Sequence, residues 1–219
     1  YTGTYPGALQ IASSDGRNEV VRAAALDTVS GGGPYLYAMF GSTTSATINA
    51  NPNLSTLVKF GPTGVMLASA PLQGSGTDGL EVDSSGNIFL GEYTPGSPTL
   101  TGTRVVKYGP DLRRMSEVSL STTSFGSVAR MRSAGSSVYA SFGGQGGNPA
   151  KVIQYNAGLV AIGTISAPGG FTQASGMDVD ADGNVYMTVS SGTSGATVQI
   201  LKFNSGLTST LATKDITSL

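Results

Sequence analysis

At 219 residues the chain is long enough for a substantial core, and its 39% hydrophobic content is adequate to fill one. Charged residues make up 11%, less than half the usual share, and the net charge of −1 leaves no electrostatic case for nucleic acid or an anionic membrane surface. Cysteine, histidine and tryptophan are absent, which excludes disulfides, thiolate zinc sites, cysteine nucleophiles and histidine triads.

Residues 1–22 read as an N-terminal segment and residues 23–219 as a repeat region. Within the first segment, Gly7-Ala8-Leu9-Gln10-Ile11-Ala12-Ser13 aligns with Gly64-Val65-Met66-Leu67-Ala68-Ser69, although no inner strands precede it. It reads as an orphan outer strand, and an unpaired β edge favours addition to another sheet. The chain begins at Tyr1, with no apolar signal segment before it. A processed mature protein and part of something longer both fit this beginning.

The first repeat carries Leu26-Asp27, a turn containing Gly31-Gly32-Gly33-Pro34, the strand Leu36-Tyr37-Ala38, a long polar connection from Gly41 to Leu54, and then Val58-Lys59-Phe60. The second is the clearest. Gly79 to Asp83 predicts strand A, Ser84-Ser85-Gly86-Asn87 a tight turn, Ile88 to Tyr93 strand B, Thr103 to Tyr108 strand C, Gly109-Pro110-Asp111-Leu112 a second turn, and Arg114 to Leu120 strand D. The third places Arg130-Met131-Arg132-Ser133 on strand A and Val138-Tyr139-Ala140 on strand B. The fourth restores the pattern with Gly176-Met177-Asp178-Val179-Asp180, Val185-Tyr186-Met187, Ile200 to Phe203, and a D strand from Leu207 to Thr213.

A hydrophobic, basic or amide, aromatic triplet marks strand C in every repeat: Val58-Lys59-Phe60, Val106-Lys107-Tyr108, Ile153-Gln154-Tyr155 and Leu201-Lys202-Phe203. Its polar member returns at intervals of 48, 47 and 48 residues. A period near fifty built from short strands predicts an all-β fold, a β-propeller with four four-stranded antiparallel blades, either a closed four-blade ring or part of a larger one. The apolar runs Ile88-Phe89-Leu90 and Val105-Val106 fit strands covered on both faces. The recurring aromatics are expected to pack in the core, and the lysines to lay their stems over neighbouring surface. No apolar run reaches the roughly eighteen residues that span a bilayer, so membrane insertion is not expected.

The stretch Gly79-Leu-Glu-Val-Asp-Ser-Ser-Gly-Asn-Ile-Phe-Leu90, followed by Arg104-Val-Val-Lys-Tyr-Gly-Pro-Asp111, resembles the repeats of NHL-type and SBBP-type β-propellers. The resemblance covers about residues 23 to 213. Such propellers serve as binding platforms, extracellular modules and, less often, lyases or lactonases, and fold-level analogy does not choose among them.

Function is expected on the B–C and D–A connections, which emerge together at one end of a propeller. There Asn49, Asn51, Glu92, Tyr93, Gln145 and Asn148 offer amides, a carboxylate and a ring suited to a neutral polar ligand such as a glycan. Asp178-x-Asp180-x-Asp182-Gly183-Asn184 matches the opening of a calcium loop, but Val189 stands where a closing glutamate belongs, and the same residues suit a hairpin turn. No cofactor is implied. Asn53-Leu54-Ser55 is an acceptor sequon, and Thr94 to Thr101 has the Ser/Thr/Pro character of O-glycosylated segments.

Low charge and abundant Ser, Thr and Gly favour an extracellular or cell-surface setting. The leading expectation is a non-enzymatic interaction module for adhesion, assembly or scaffolding. Its partners are other protein subunits or extracellular glycans, with a homo-oligomer or filament formed through the N-terminal edge strand. The alternatives are a lectin-like propeller and a calcium-dependent lactonase or hydrolase whose carboxylates include Glu92, Asp178, Asp180 and Asp182.

Overall fold

The computed structural model describes residues 19–28, 31, 33–42, 55–94, 102–120, 125–192 and 197–217. Sixteen strands and no helix occur among them. The first blade holds β1 (Glu19–Asp27), β2 (Tyr35–Ser42), β3 (Thr56–Phe60) and β4 (Met66–Pro71). The second holds β5 (Ser75–Val82), β6 (Ile88–Thr94), β7 (Gly102–Tyr108) and β8 (Arg114–Leu120). The third holds β9 (Val128–Ala134), β10 (Ser137–Phe142), β11 (Lys151–Asn156) and β12 (Ala161–Ser166), and the fourth β13 (Gln173–Val179), β14 (Val185–Ser190), β15 (Val198–Phe203) and β16 (Thr210–Asp215). Each blade is a four-stranded antiparallel meander in chain order.

The C-strand triplets are equivalent, as their spacing predicts: Lys59, Lys107, Gln154 and Lys202 pair across the sheet with Tyr37, Phe89, Tyr139 and Tyr186. Their aromatic neighbours Phe60, Tyr108, Tyr155 and Phe203 are at most 6% exposed. Strand ends depart from expectation where turn chemistry intervenes. The first A strand starts at Glu19, ahead of the boundary drawn at residue 23. β5 starts at Ser75 because a bulge between Gly76 and Leu80 extends the ladder, and the Gly76 amide donates to Ser55 Oγ at 2.9 Å. β16 starts at Thr210 because Leu207 sits at φ 54° and the Asn204 side chain accepts from the Thr208 and Ser209 amides, holding them in the turn.

Alternate residues of each sheet face opposite neighbours, so the core consists of joints between blades. Tyr37, Met39 and Leu57 of blade 1 meet Leu80, Ile88, Leu90, Val106 and Tyr108 of blade 2. Phe89 and Val105, on the other face of blade 2, meet Val128, Met131, Val138 and Tyr155 of blade 3. Tyr139 and Val152 of blade 3 meet Met177, Val185, Met187, Leu201 and Phe203 of blade 4. Closeness at these joints demands glycine at Gly91, where a Cβ would lie 2.2 Å from Thr77 Oγ1 and 2.6 Å from Val128. The inner strands pack in sequence, β1 on β5, β5 on β9 and β9 on β13, and β13 and β1 share no such packing. Among the described residues the blades therefore form an open arc rather than a closed ring. The orphan strand expected at 7–13 lies outside the described residues.

Candidate functional site

The end of the arc that carries the B–C and D–A connections holds a cleft of about 210 Å³ between blades 2 and 3. Tyr93 lies near the end of β6 on one side, Thr103 near the start of β7 beside it, and Phe125, Gly126 and Ser127 enter from the connection before β9. Gln145 comes from the connection between β10 and β11. Each wall is fixed by ordinary bonds. Thr103 Oγ1 donates to the Gly126 carbonyl at 2.8 Å, and the Gly126 amide donates to the Gly143 carbonyl at 2.7 Å. The Phe125 ring meets Phe142 edge-on with centroids 5.4 Å apart, and Lys151 Nζ stands 4.7 Å over the same ring. The result is a cleft with an aromatic flank and neutral polar groups at the joint between blades 2 and 3.

Of the six residues expected at this end, Tyr93 and Gln145 come together in the cleft. Asn148 lies just behind, its side-chain amide donating to the Gln145 carbonyl at 2.8 Å, which braces the loop. Asn49 and Asn51 lie outside the described residues, as does the sequon asparagine Asn53. The sequon's Ser55 is buried beside β3.

Glu92 requires correction: it is not on the loop surface. Strand alternation turns it to the opposite face from Tyr93, where it is fully buried. Arg104, directly across the ladder, donates to Glu92 Oε2 from Nε at 2.9 Å and from a terminal nitrogen at 2.5 Å, and the Tyr108 hydroxyl donates to Oε1 at 3.0 Å. Burial, and after it the Glu92 charge, raise the Tyr108 hydroxyl above its ordinary range, so it remains a donor. This is a satisfied internal ion pair with both carboxylate oxygens committed. Sequence held a signal for it: an arginine in a strand covered on both faces demands a carboxylate partner.

The Asp178, Asp180 and Asp182 set does not converge. Asp178 projects from β13 and accepts from Arg132 Nε at 3.2 Å, while Arg132 also lies 3.7 Å from Glu81. Glu81, Arg132 and Asp178 occupy one register position in blades 2, 3 and 4, opposite Phe89, Tyr139 and Tyr186, and form a ladder of alternating charge across the joints. Asp180 is folded into its own hairpin. It accepts from the Asn184 amide at 2.8 Å, the Asn184 side chain at 2.9 Å and the Asp182 amide at 3.1 Å. Asp83 makes the same bonds to Asn87 and Ser85 in blade 2, at 2.8 to 2.9 Å, so the arrangement belongs to the repeat. The Asn184 side chain first, helped by the Asn184 amide, Tyr186 and Lys202, lowers Asp180 to about 2. Among the described residues no three carboxylates gather in a way that could hold a metal ion.

The cleft's Thr103, Phe125 and Ser127 have no mark in the sequence, for Thr103 stands on β7 and the other two on the connection before β9, which only the blade 2–3 joint brings together.

No protein-family model and no curated protein matches this chain. Among solved structures it is similar to Kuenenia stuttgartiensis hydrazine synthase, with a TM-score of 0.57 and 9% sequence identity over 83% of this chain. The match takes in 50% of that protein's chain, so this sequence spans about half of its length. At that identity the similarity speaks for architecture alone, and together with the four blades it makes this chain a β-propeller.

Proposed function

We propose that the chain is a non-enzymatic, extracellular propeller module of the NHL or SBBP kind that works by binding, in adhesion, assembly or scaffolding. The observation that carries this reading is the use of its carboxylates. Glu92 is consumed by Arg104 and Tyr108, Asp83 and Asp180 by their own turns, and Asp178 by Arg132. Hydrolysis without histidine or cysteine needs carboxylates that converge on substrate or calcium, and these do not. What remains at the loop end is a cleft lined by neutral groups, and connections carried on packed blades are suited to recognition.

A second reading follows from the lining of that cleft. Tyr93 and Phe125 offer ring faces and Gln145 and Ser127 offer neutral hydrogen-bonding groups, the combination by which proteins hold sugars, so an extracellular glycan is the favoured small ligand. A glycan array probed with wild-type chain and with Phe125→Ala and Gln145→Ala tests it. Binding to neutral oligosaccharides that falls at least tenfold in either variant supports the cleft. A blank array combined with calcium-dependent turnover of lactone or ester substrates, abolished in Asp180→Asn, overturns the binding reading in favour of the hydrolase.

A further inference from the structure

Blades 2 and 3 carry a cation and a phenol at the same two register positions of the C strand, and only blade 2 also carries a carboxylate to join them. In blade 2, Arg104 lies across the ladder from Glu92 and Tyr108 across from Ile88, and Glu92 accepts from both side chains. In blade 3, Lys151 lies across from Phe142 and Tyr155 across from Val138. Phe142 therefore stands where blade 2 has its carboxylate, and the two groups that a carboxylate joins in blade 2 are left over in blade 3. The other blades pose no such mismatch. Thr56 and Phe60 hold these positions in blade 1, and Gln199 and Phe203 hold them in blade 4.

Both leftover groups lie at the blade 2–3 joint. The Tyr155 hydroxyl is fully buried and finds no hydrogen-bond partner among the described residues, whereas its blade 2 counterpart donates to Glu92 Oε1 at 3.0 Å. A buried hydroxyl left unpaired is costly. Lys151 is partly buried, and among the described residues it meets no carboxylate: its Nζ stands 4.7 Å over the Phe125 ring. That ring leans edge-on against Phe142 and lines the cleft, so the ammonium group reaches the cleft's aromatic flank. The described lining holds no aspartate or glutamate that could claim Lys151 or repel an incoming anion.

We propose that the cleft takes an acidic sugar, a uronic or sialic acid residue, with the sugar's carboxylate on Lys151 Nζ and its ring on the aromatic flank. The inference rests on the glycan reading of the cleft and deepens it by naming the ligand's charge. A carboxylate is the anion because it is the group that the same register positions hold in blade 2. A sugar carries it because Tyr93, Ser127 and Gln145 complete the lining with a ring and neutral hydrogen-bonding groups. The change of cation fits a partner that comes and goes. Arg104 is fixed to Glu92 Oε2 through two nitrogens, whereas the ammonium of Lys151 is a point charge on a flexible stem, open in part to water and therefore sensitive to salt.

An array printed with oligosaccharides ending in glucuronate, galacturonate or sialate, each beside its carboxyl-reduced neutral form, and with an oligoglutamate peptide, tests the assignment. The wild-type chain should bind an acidic member about tenfold more tightly than its reduced form, and the gap should narrow as salt rises from about 0.05 to about 0.5 M. Lys151→Gln should bring the ratio of the two affinities to about one and Lys151→Arg should keep it, with circular dichroism checking that each variant is folded. Lys151→Met, which keeps an apolar stem beside Phe125, is the second neutral variant should the glutamine fail to fold. Equal binding of acidic and reduced forms by wild type overturns the carboxylate assignment and leaves the cleft a site for neutral glycans. An acidic preference that survives the neutral variants overturns the role of Lys151, and oligoglutamate bound as tightly as the acidic sugars overturns the sugar in favour of an acidic peptide. A wild-type chain that binds no sugar of either kind removes the glycan reading and this inference with it.

Discussion

The Glu92–Arg104 pair shows how one residue can carry a large share of a blade's stability while doing no recognition. Both side chains are at most 8% exposed, and Glu92 holds the Tyr108 hydroxyl as well as the guanidinium. Removing the carboxylate strands a buried cation, and breaking such a pair from one side costs about 3–5 kcal/mol. Glu92→Ala should therefore shift the urea midpoint far to the left. A loss below about 1 kcal/mol would mean that Glu117, 3.5 Å from Arg104, can replace it. Asp180 acts at the same scale with a pH signature. Its folded value, about 2, is below the ordinary 3.8, so its contribution is fully present above about pH 4 and fades as pH falls toward 2. The difference in melting temperature between wild type and Asp180→Asn should shrink through that window. A difference that stays constant down to about pH 2 would show that the turn does not depend on the ionised carboxylate.

At the scale of the element, the C–D turns contain a conflict between backbone and side chain that burial resolves. Leu112, Leu159 and Leu207 all adopt positive φ, between 54 and 63°, and all are at most 5% exposed, each pressed toward the preceding blade. A left-handed residue with a Cβ costs about 1–2 kcal/mol, whereas a buried leucine side chain is worth about 2–5 kcal/mol, so burial wins. Leu159→Gly should relax the turn and still lose about 2 kcal/mol in thermal or urea unfolding, and a stabilised variant would reverse that balance. Blade 1 has Gly64 at this position, with φ 78° and open space around it. The strands themselves were legible because the Lys–aromatic triplet and the Asp-x-x-Gly-Asn turn need fixed residue types at fixed spacing. Less legible was the bulge before each C-strand aromatic's partner. It leaves Leu67, Met115, Ile162 and Leu211 between 53 and 58% exposed, because an inserted residue turns outward whatever its hydrophobicity. The cleft was half legible: Tyr93 on the last part of β6 and Gln145 on the connection after β10 are sent by topology to one end. The burial of Glu92 depends on strand alternation one residue away, and Phe125 on a joint whose distance no local pattern encodes.

For the whole molecule, the decisive fact is that the core lies between blades, so stability is approximately a sum of intrinsic blade terms and nearest-neighbour joints. Blades 2 and 3 are covered on both faces, whereas blade 4 is covered by blade 3 on one face and leaves Tyr186 and Ile200 only partly buried on the other. Local opening follows the number of joints that must break, which ranks the strands before any measurement. In native-state hydrogen exchange, amides of β6, β7, β10 and β11 should be the slowest and should approach the global unfolding free energy. Amides of β14 and β15 should open earlier, because freeing blade 4 sacrifices one joint where freeing blade 2 or 3 sacrifices two. Uniform protection across all four blades would instead mean that the arc unfolds as one cooperative unit, with joint energies too large for any blade to leave alone.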